Sequence, residues 1–191
     1  MRGTLDCALE SIVKQLWNNM LFGDPSRFAV EAMVEPGPDY SSVLGSNVMG
    51  RMCLRVEGSV LGNLAEPCCV MATLSRHLVT ICASSAGLWH PSLAGLTPEG
   101  QFDALDRALF SDDVSSPLES MSLCIFLTNV SEAFDPVKGF AIRMPASDRI
   151  RLLVRLSESD EITHWDVLQH DFCAAAGSFA TWVQTLEREL L

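Results

Sequence analysis

The residues of this 191-residue chain that could hold a metal ion have an unfavourable spacing. His164 and His170 are six residues apart, with Asp166 and Asp171 close by. Two imidazoles that bind zinc from one helical face are four residues apart, as in an HExxH motif, and neither that motif nor a CxxC pair occurs. We therefore interpret these histidines as surface residues and predict neither a metal site nor a cofactor.

A cysteine nucleophile with a histidine base is the next chemistry to consider. The pair considered for this role is Cys69 and His77, and both fall in an apolar segment. Buried thiols and hydrogen-bonded core histidines are the more common use of these residues in such a segment. The chain also lacks GxSxG, Walker and GxGxxG motifs. The sequence therefore favours a protein that is not an enzyme.

Binding to another protein is the remaining class of function, and residues in the predicted loops indicate where the partner binds. A tryptophan lies in a glycine-containing loop, and two acidic clusters fall between predicted elements, the second shortly before another tryptophan. Aromatic side chains in loops are frequent anchors of protein interfaces. The predicted partner-binding residues are Trp89, Asp112, Asp113, Glu158, Asp160, Glu161 and Trp165. Residues 158–165 form the preferred contact region.

The charge of the chain supports a basic protein partner. The 24 acidic and 13 basic residues give a formal net charge of -11. Residues 1–96 contribute -2 of this and residues 97–191 contribute -9. Such a chain repels nucleic-acid backbones, whereas it attracts a protein with a basic surface. We therefore exclude nucleic acid as the partner.

The periodicity of apolar residues predicts the elements that carry these side chains. Thr97 and Pro98 mark a helix start, and Arg149–Ser157 alternates apolar and basic residues as a strand does. We expect an α+β fold with an antiparallel sheet of about five to six strands, helices mainly on one face, and a C-terminal helix. The expected strands are 27–35, 47–57, 59–64, 122–130, 138–144 and 149–157, and the expected helices are 66–84, 97–110 and 166–190.

The cysteines and the N-terminus predict where the protein acts. The seven cysteines form an odd set, mostly in apolar runs, which is typical of buried thiols in a reducing cytosol. No stretch reaches the roughly 20 apolar residues that span a bilayer, and the N-terminus does not look like a secretory signal. We expect a cytoplasmic protein without membrane contact. Residues 4–19 have the spacing of an amphipathic helix.

The segment Met20–Glu31, MLFGDPSRFAVE, resembles the opening of immunity protein family 42 of bacterial polymorphic toxin systems. The shared pattern is Met-x-x-Gly-Asp-Pro-x-x-Phe-Ala, and the later strands, the hairpin and the closing strand–helix unit are similar in order. The resemblance implies one immunity-like α+β domain over residues 20–191, with residues 1–19 as an extension. It implies a small protein that binds and neutralises a cognate toxin and has no activity of its own. It implies no particular contact residues.

Two other functions stay open at this point. A secretion chaperone or adaptor for an effector is also commonly small and acidic. A hydrolase with a Cys–His pair assembled by the fold is the weaker alternative. The sequence also leaves homo-oligomerisation open.

Overall fold

The computed structural model describes residues 19–34, 48–66, 69–111, 116–128 and 130–190. The predicted amphipathic helix of residues 4–19 therefore lies almost entirely outside the described residues. The acidic pair Asp112 and Asp113 and a turn predicted at residues 36–39 lie outside them as well. The division into an extension and a domain beginning at residue 20 accordingly stays a prediction.

The first half of the chain forms an N-terminal sheet of five antiparallel strands. They are β1 (Met20–Asp24), β2 (Phe28–Val34), β3 (Met49–Val56), β4 (Ser59–Leu61) and β5 (Cys69–Val70). The order is β1-β2-β3-β4, and β5 pairs with the other end of β3. Apolar residues alternate along β2 and β3, so one face of this sheet is fully buried.

The second half forms a C-terminal sheet of three antiparallel strands. These are β6 (Val137–Arg143), β7 (Arg149–Leu156) and β8 (Ile162–Leu168), and β7 lies between the other two. The alternation that predicted β7 is present, since Ile150, Leu152 and Val154 are buried. Leu153 is also buried, because the opposite face of this sheet is covered too.

Within the part of the chain that the structure describes, three α-helices cover the sheets. They are α1 (Met71–Ala83), α2 (Pro98–Phe110) and α3 (Gln169–Leu190). The predicted start of α2 is confirmed, because the Thr97 hydroxyl accepts a hydrogen bond from the Gly100 N–H and Pro98 occupies the first turn. Short 3-10 helices at Ser85–Leu88, Pro91–Leu93, Glu119–Cys124 and Glu132–Phe134 make up much of the connections.

Helix α3 ties the two sheets together through aromatic contacts. The Phe172 ring centre lies 4.5 Å from that of Phe28 on β2 and 5.9 Å from that of Phe126. Further along the helix, Phe179 lies 5.6 Å from Phe22 on β1. Helix α3 also contacts α1, β7 and β8. One continuous hydrophobic core therefore spans both sheets.

Helix α2 packs on one face of the C-terminal sheet. Its Phe102 ring lies edge-on to Phe140 of β6 with centres 5.1 Å apart. The Arg155 guanidinium of β7 lies 4.8 Å from the centre of the Phe102 ring. The α2 side chain of Gln101 accepts a hydrogen bond from Arg151 at 3.3 Å. Cationic side chains of β7 are thus sandwiched between the sheet and this helix.

The structure corrects three parts of the predicted fold. The expected single sheet of five to six strands is instead two sheets of five and three strands within the described residues. Segment 122–130 is wrong as a strand, because it contains the end of a 3-10 helix and a single bridge between Ile125 and Phe140. Its apolar residues are buried because they pack in the core, although the segment does not pair as a strand. Strands β1 and β8 are not among the expected strands, and residues 166–168 of the expected helix 166–190 belong to β8 because they pair with β7.

The cysteines are corrected as well. Cys82 of α1 and Cys173 of α3 form a disulfide, with their Cα atoms 5.6 Å apart and 91 residues between them in sequence. Cys53 and Cys124 are buried free thiols, as expected. Within the described ranges, none of the helices combines the length and the apolar character needed to cross a membrane.

Candidate partner-binding surface

The turn between β7 and β8 carries three of the predicted contact residues. Residues 157–161, the acidic turn, include Glu158, Asp160 and Glu161, all of which are exposed. The Ser159 N–H donates to the Leu156 carbonyl at 3.0 Å, and the Ser159 hydroxyl accepts from the Glu161 N–H at 3.0 Å. These bonds shape the turn and leave the three carboxylates to solvent.

Trp165 lies on β8, four residues beyond the acidic turn. It is paired with Leu152 of β7, and its indole is partly buried against the core. The structure thus brings Glu158, Asp160, Glu161 and Trp165 together on one hairpin. The prediction placed this tryptophan in a loop, whereas it belongs to a strand.

A groove with a volume of about 580 Å³ opens beside the acidic turn. Asp160 lines it from the turn and Asp135 from the start of β6, and both are exposed. Phe110 at the end of α2 and Leu156 at the end of β7 supply apolar surface, with 41% and 47% of their areas exposed. Partly exposed apolar residues inside a polar rim are the composition of many protein interfaces.

The two cations of this groove share one carboxylate of the fold. Arg155 contacts the Asp106 carboxylate at 3.0 Å, and Lys138 forms an ion pair with the same carboxylate. The Lys138 ammonium also lies 4.3 Å from the centre of the Phe110 ring. Asp106 offsets one of the two positive charges, and Asp135 and Asp160 give the groove a small excess of negative charge.

A second ion pair fixes β8 to its neighbour. Arg151 of β7 donates to both carboxylate oxygens of Asp166, at 2.7 and 2.8 Å. These hydrogen bonds hold the pKa of Asp166 below its ordinary value. The pair is only partly buried, and it joins directly opposite residues of the two strands.

The remaining predicted contact residues lie elsewhere. Trp89 directly follows the 3-10 helix Ser85–Leu88, which contacts β6 and the segment Glu119–Cys124, and its ring is partly buried against the core. The structure does not place Trp89 on the β7–β8 hairpin. Asp112 and Asp113 lie outside the described residues.

Sequence reasoning missed the groove residues Phe110, Lys138 and Leu156. Phe110 was assigned to the apolar face of α2, and Leu156 to the buried face of β7. Phe110 ends a helix and Leu156 ends a strand, and these terminal positions could have indicated exposure. Apolar residues at the end of an element have fewer neighbours to cover them. The pairing of Lys138 with Asp106 depends on the fold and has no sequence signal.

The candidates for nucleophilic chemistry occupy structural positions. The His77 Nε2 lies 2.7 Å from the Ile125 carbonyl, so this nitrogen carries the hydrogen and donates it. The Cys69 side chain lies outside the described part of the structure. Burial and the nearby Glu31 carboxylate raise the pKa of the Cys53 thiol to about 11, and burial raises that of Cys124 to about 12. Both thiols are therefore protonated at neutral pH.

The histidines considered as metal ligands do not form a site. His164 lies on β8 and His170 in the first turn of α3, and both are exposed. The ring of His170 contacts the Asp171 carboxylate at 3.5 Å. Among the residues that the structure describes, no group of three or more His, Cys, Asp or Glu side chains could hold a metal ion.

Comparison with known proteins gives one family and one solved structure. The family model described as immunity protein 42 matches residues 20–183. The crystal structure of CdiI from Burkholderia dolosa is similar over 85% of this chain and 99% of that chain, with a TM-score of 0.60 and 13% sequence identity. At that identity the likeness concerns the fold alone. A comparison with curated proteins gives no match.

Proposed function

The chain belongs to the immunity protein 42 family, and we infer that it is an immunity protein that binds and neutralises a cognate bacterial toxin. The observation that carries this conclusion is the family match over residues 20–183, which is most of the chain. The match begins at Met20, where the segment Met20–Glu31 has the pattern of the family opening. The resemblance predicted from that segment is confirmed.

The β7–β8 hairpin and the adjoining groove are the proposed contact surface for the toxin. Three exposed carboxylates of the acidic turn lie beside a groove whose two cations share the Asp106 carboxylate. Phe110 and Leu156 add apolar area beside the turn that a partner can cover, and Trp165 is a further proposed contact on the sheet face opposite to α2. This combination supports a toxin with a basic surface, since complementary charge accelerates and orients association.

Trp89, Asp112 and Asp113 form a second set of proposed contacts. Trp89 is partly exposed outside the hairpin, and we propose it as a separate contact. An alanine scan of these three positions, measured as toxin affinity, tests this second set.

We propose that neutralisation is non-enzymatic and proceeds by binding alone. The raised pKa values of the Cys53 and Cys124 thiols support this, because a nucleophilic cysteine needs a lowered pKa, and His77 Nε2 is already bonded to the Ile125 carbonyl. We further propose that the protein acts in the cytoplasm. There we expect Cys82 and Cys173 to be reduced, because the cytosol keeps thiols reduced. Alkylation of intact cells followed by mass spectrometry measures their state.

Co-expression with the product of the neighbouring upstream gene tests the function. We expect that product to arrest growth alone and to be harmless with this chain, whereas an unrelated toxin stays lethal. Continued lethality in the presence of a soluble, folded chain would contradict the proposal. A product that is harmless by itself, but degraded or not secreted without this chain, would instead identify a secretion chaperone.

A further inference from the structure

Strand β8 is an edge strand with an exposed backbone. It pairs with β7 on one side over seven consecutive residues. On its other side, the described residues contain no pairing strand. The exposed side chains of Thr163 and His164 show that solvent reaches this part of the strand.

The ladder determines which backbone groups of β8 face outward. The Gln169 N–H donates to the Asp148 carbonyl at 2.7 Å, so this pair is hydrogen-bonded. Hydrogen-bonded and non-hydrogen-bonded pairs alternate along an antiparallel ladder. Counting back along the register, Ile162, His164 and Asp166 are in non-hydrogen-bonded pairs. Their N–H and C=O groups therefore point away from β7.

This edge lacks most of the features that usually prevent another strand from adding to it. Natural edge strands are commonly short, interrupted by a bulge, or protected by proline or lysine. The seven-residue β8 has a regular register and contains neither residue. Among the described residues, Arg149 is the one side chain that bonds the edge, donating to the Asp166 carbonyl at 2.5 Å. The N–H groups of Ile162 and His164 have no acceptor among the described residues.

The charge around the edge favours a basic occupant. The acidic turn leads directly into β8, and the exposed Glu99 lies in the first turn of α2, a helix that contacts β8. The Arg151 charge is taken up by Asp166. A second copy of this chain is disfavoured as the occupant, because each copy carries a net charge of -11.

From these observations we propose that an extended, basic segment of the toxin adds to the outer edge of β8 as a fourth strand of the C-terminal sheet. This inference rests on the proposed function and specifies how the toxin is held. Backbone pairing supplies the affinity in such additions, while side chains beside the strand select the partner. Here the acidic turn provides that selection for lysine and arginine.

Hydrogen exchange of single amides, followed by NMR, tests the proposal without any substitution. In the free protein the amides of Ile162 and His164 should exchange fast, whereas those of Thr163 and Trp165, bonded to β7, should exchange slowly. With the purified upstream gene product bound, we expect Ile162 and His164 to become slow as well. Fast exchange of both amides in the complex would overturn the proposal. So would their protection in concentrated free protein, which would indicate pairing between copies.

A matched pair of variants provides a second test. His164→Pro removes one outward N–H and places a ring against the incoming strand, yet it keeps every bond between β7 and β8. We expect binding to weaken by about 10- to 100-fold. His164→Val keeps the N–H and should bind at least about tenfold more tightly than His164→Pro. Equal affinities of two folded variants would refute the pairing; if His164→Pro does not fold, the exchange measurement decides.

Failure of the proposed function and failure of the strand addition give different experimental results. If the original chain neither binds nor neutralises the upstream gene product, the proposed function fails, and the strand addition that rests on it fails too. If it neutralises that product while the amides of Ile162 and His164 stay unprotected, only the strand addition is wrong.

Discussion

Reversing the acidic turn should slow association with the toxin and leave folding intact. Glu158, Asp160 and Glu161 are exposed, and none has a side-chain bond among the described residues, so replacing all three with lysine should change the free energy of unfolding by about 0.5 kcal/mol or less per site. Each reversal changes the charge by two, and the net charge moves from -11 to about -5. Two unit charges about 10 Å apart in water interact by about 0.4 kcal/mol. The triple variant therefore loses about 2.5 kcal/mol for each partner cation at that distance before screening.

Salt determines how much of this loss is measured. At about 0.1 M salt the Debye length is about 10 Å, which reduces the loss to about 1 kcal/mol, or roughly a fivefold slower association. At about 0.01 M salt the difference should exceed tenfold. Stopped-flow association at several salt concentrations measures both. The original chain should show the steeper salt dependence.

A second triple variant controls for overall charge. Glu57, Glu132 and Glu189 are also exposed and lie outside the β7–β8 hairpin. Reversing them to lysine gives the same net charge and should leave the association rate nearly unchanged. Equal slowing by both triple variants would mean that overall charge, and not this turn, steers the toxin. No slowing by the first would place the interface elsewhere.

Three predictions concern the stability of the domain. Phe172→Ala should lower the free energy of unfolding by about 3–5 kcal/mol, measured by denaturant titration, because the ring packs between Phe28 and Phe126. Reducing the Cys82–Cys173 bond should cost about 2–4 kcal/mol, and a Tm unchanged by reductant would contradict it. The lowered pKa of Asp166 stabilises the fold above its unfolded value near 3.8, and this contribution is lost as the pH falls through the folded pKa. Asp166→Asn should therefore cost about 1 kcal/mol at pH 7 and flatten the stability profile below about pH 4.

The parts of the fold with strong local signals could be predicted from the sequence. Thr97 and Pro98 specify a helix start by local bonding alone, and the structure has the helix there. The alternation of Ile150, Leu152 and Val154 needs only the two-residue period of a strand. The exposure of the acidic residues in the β7–β8 turn could also be predicted, because acidic side chains in loops usually stay in solvent when the chain folds.

The errors arose where distant residues decide the structure. Strand β8 carries polar residues and follows turn-forming ones, so only its register with β7 makes it a strand. The apolar residues after Ser122 pack in the core without forming a strand, and their apolar composition is the same as that of a buried strand. The Cys82–Cys173 bond joins residues 91 apart, and no spacing rule connects them. Prediction of the contact region was similarly limited, because the groove exists only after α2 meets β6.

The packing of α3 on the first strands sets the time at which a newly made molecule can protect a cell. Strands β1 and β2 leave the ribosome before the helix that covers Phe22 and Phe28. At about 5–20 residues per second, translation of the intervening chain takes on the order of ten seconds. Throughout that interval the apolar residues of β1 and β2 that α3 covers in the fold are exposed. We therefore expect each nascent chain to depend on chaperones, which prevent aggregation of its exposed apolar residues, until α3 has been made.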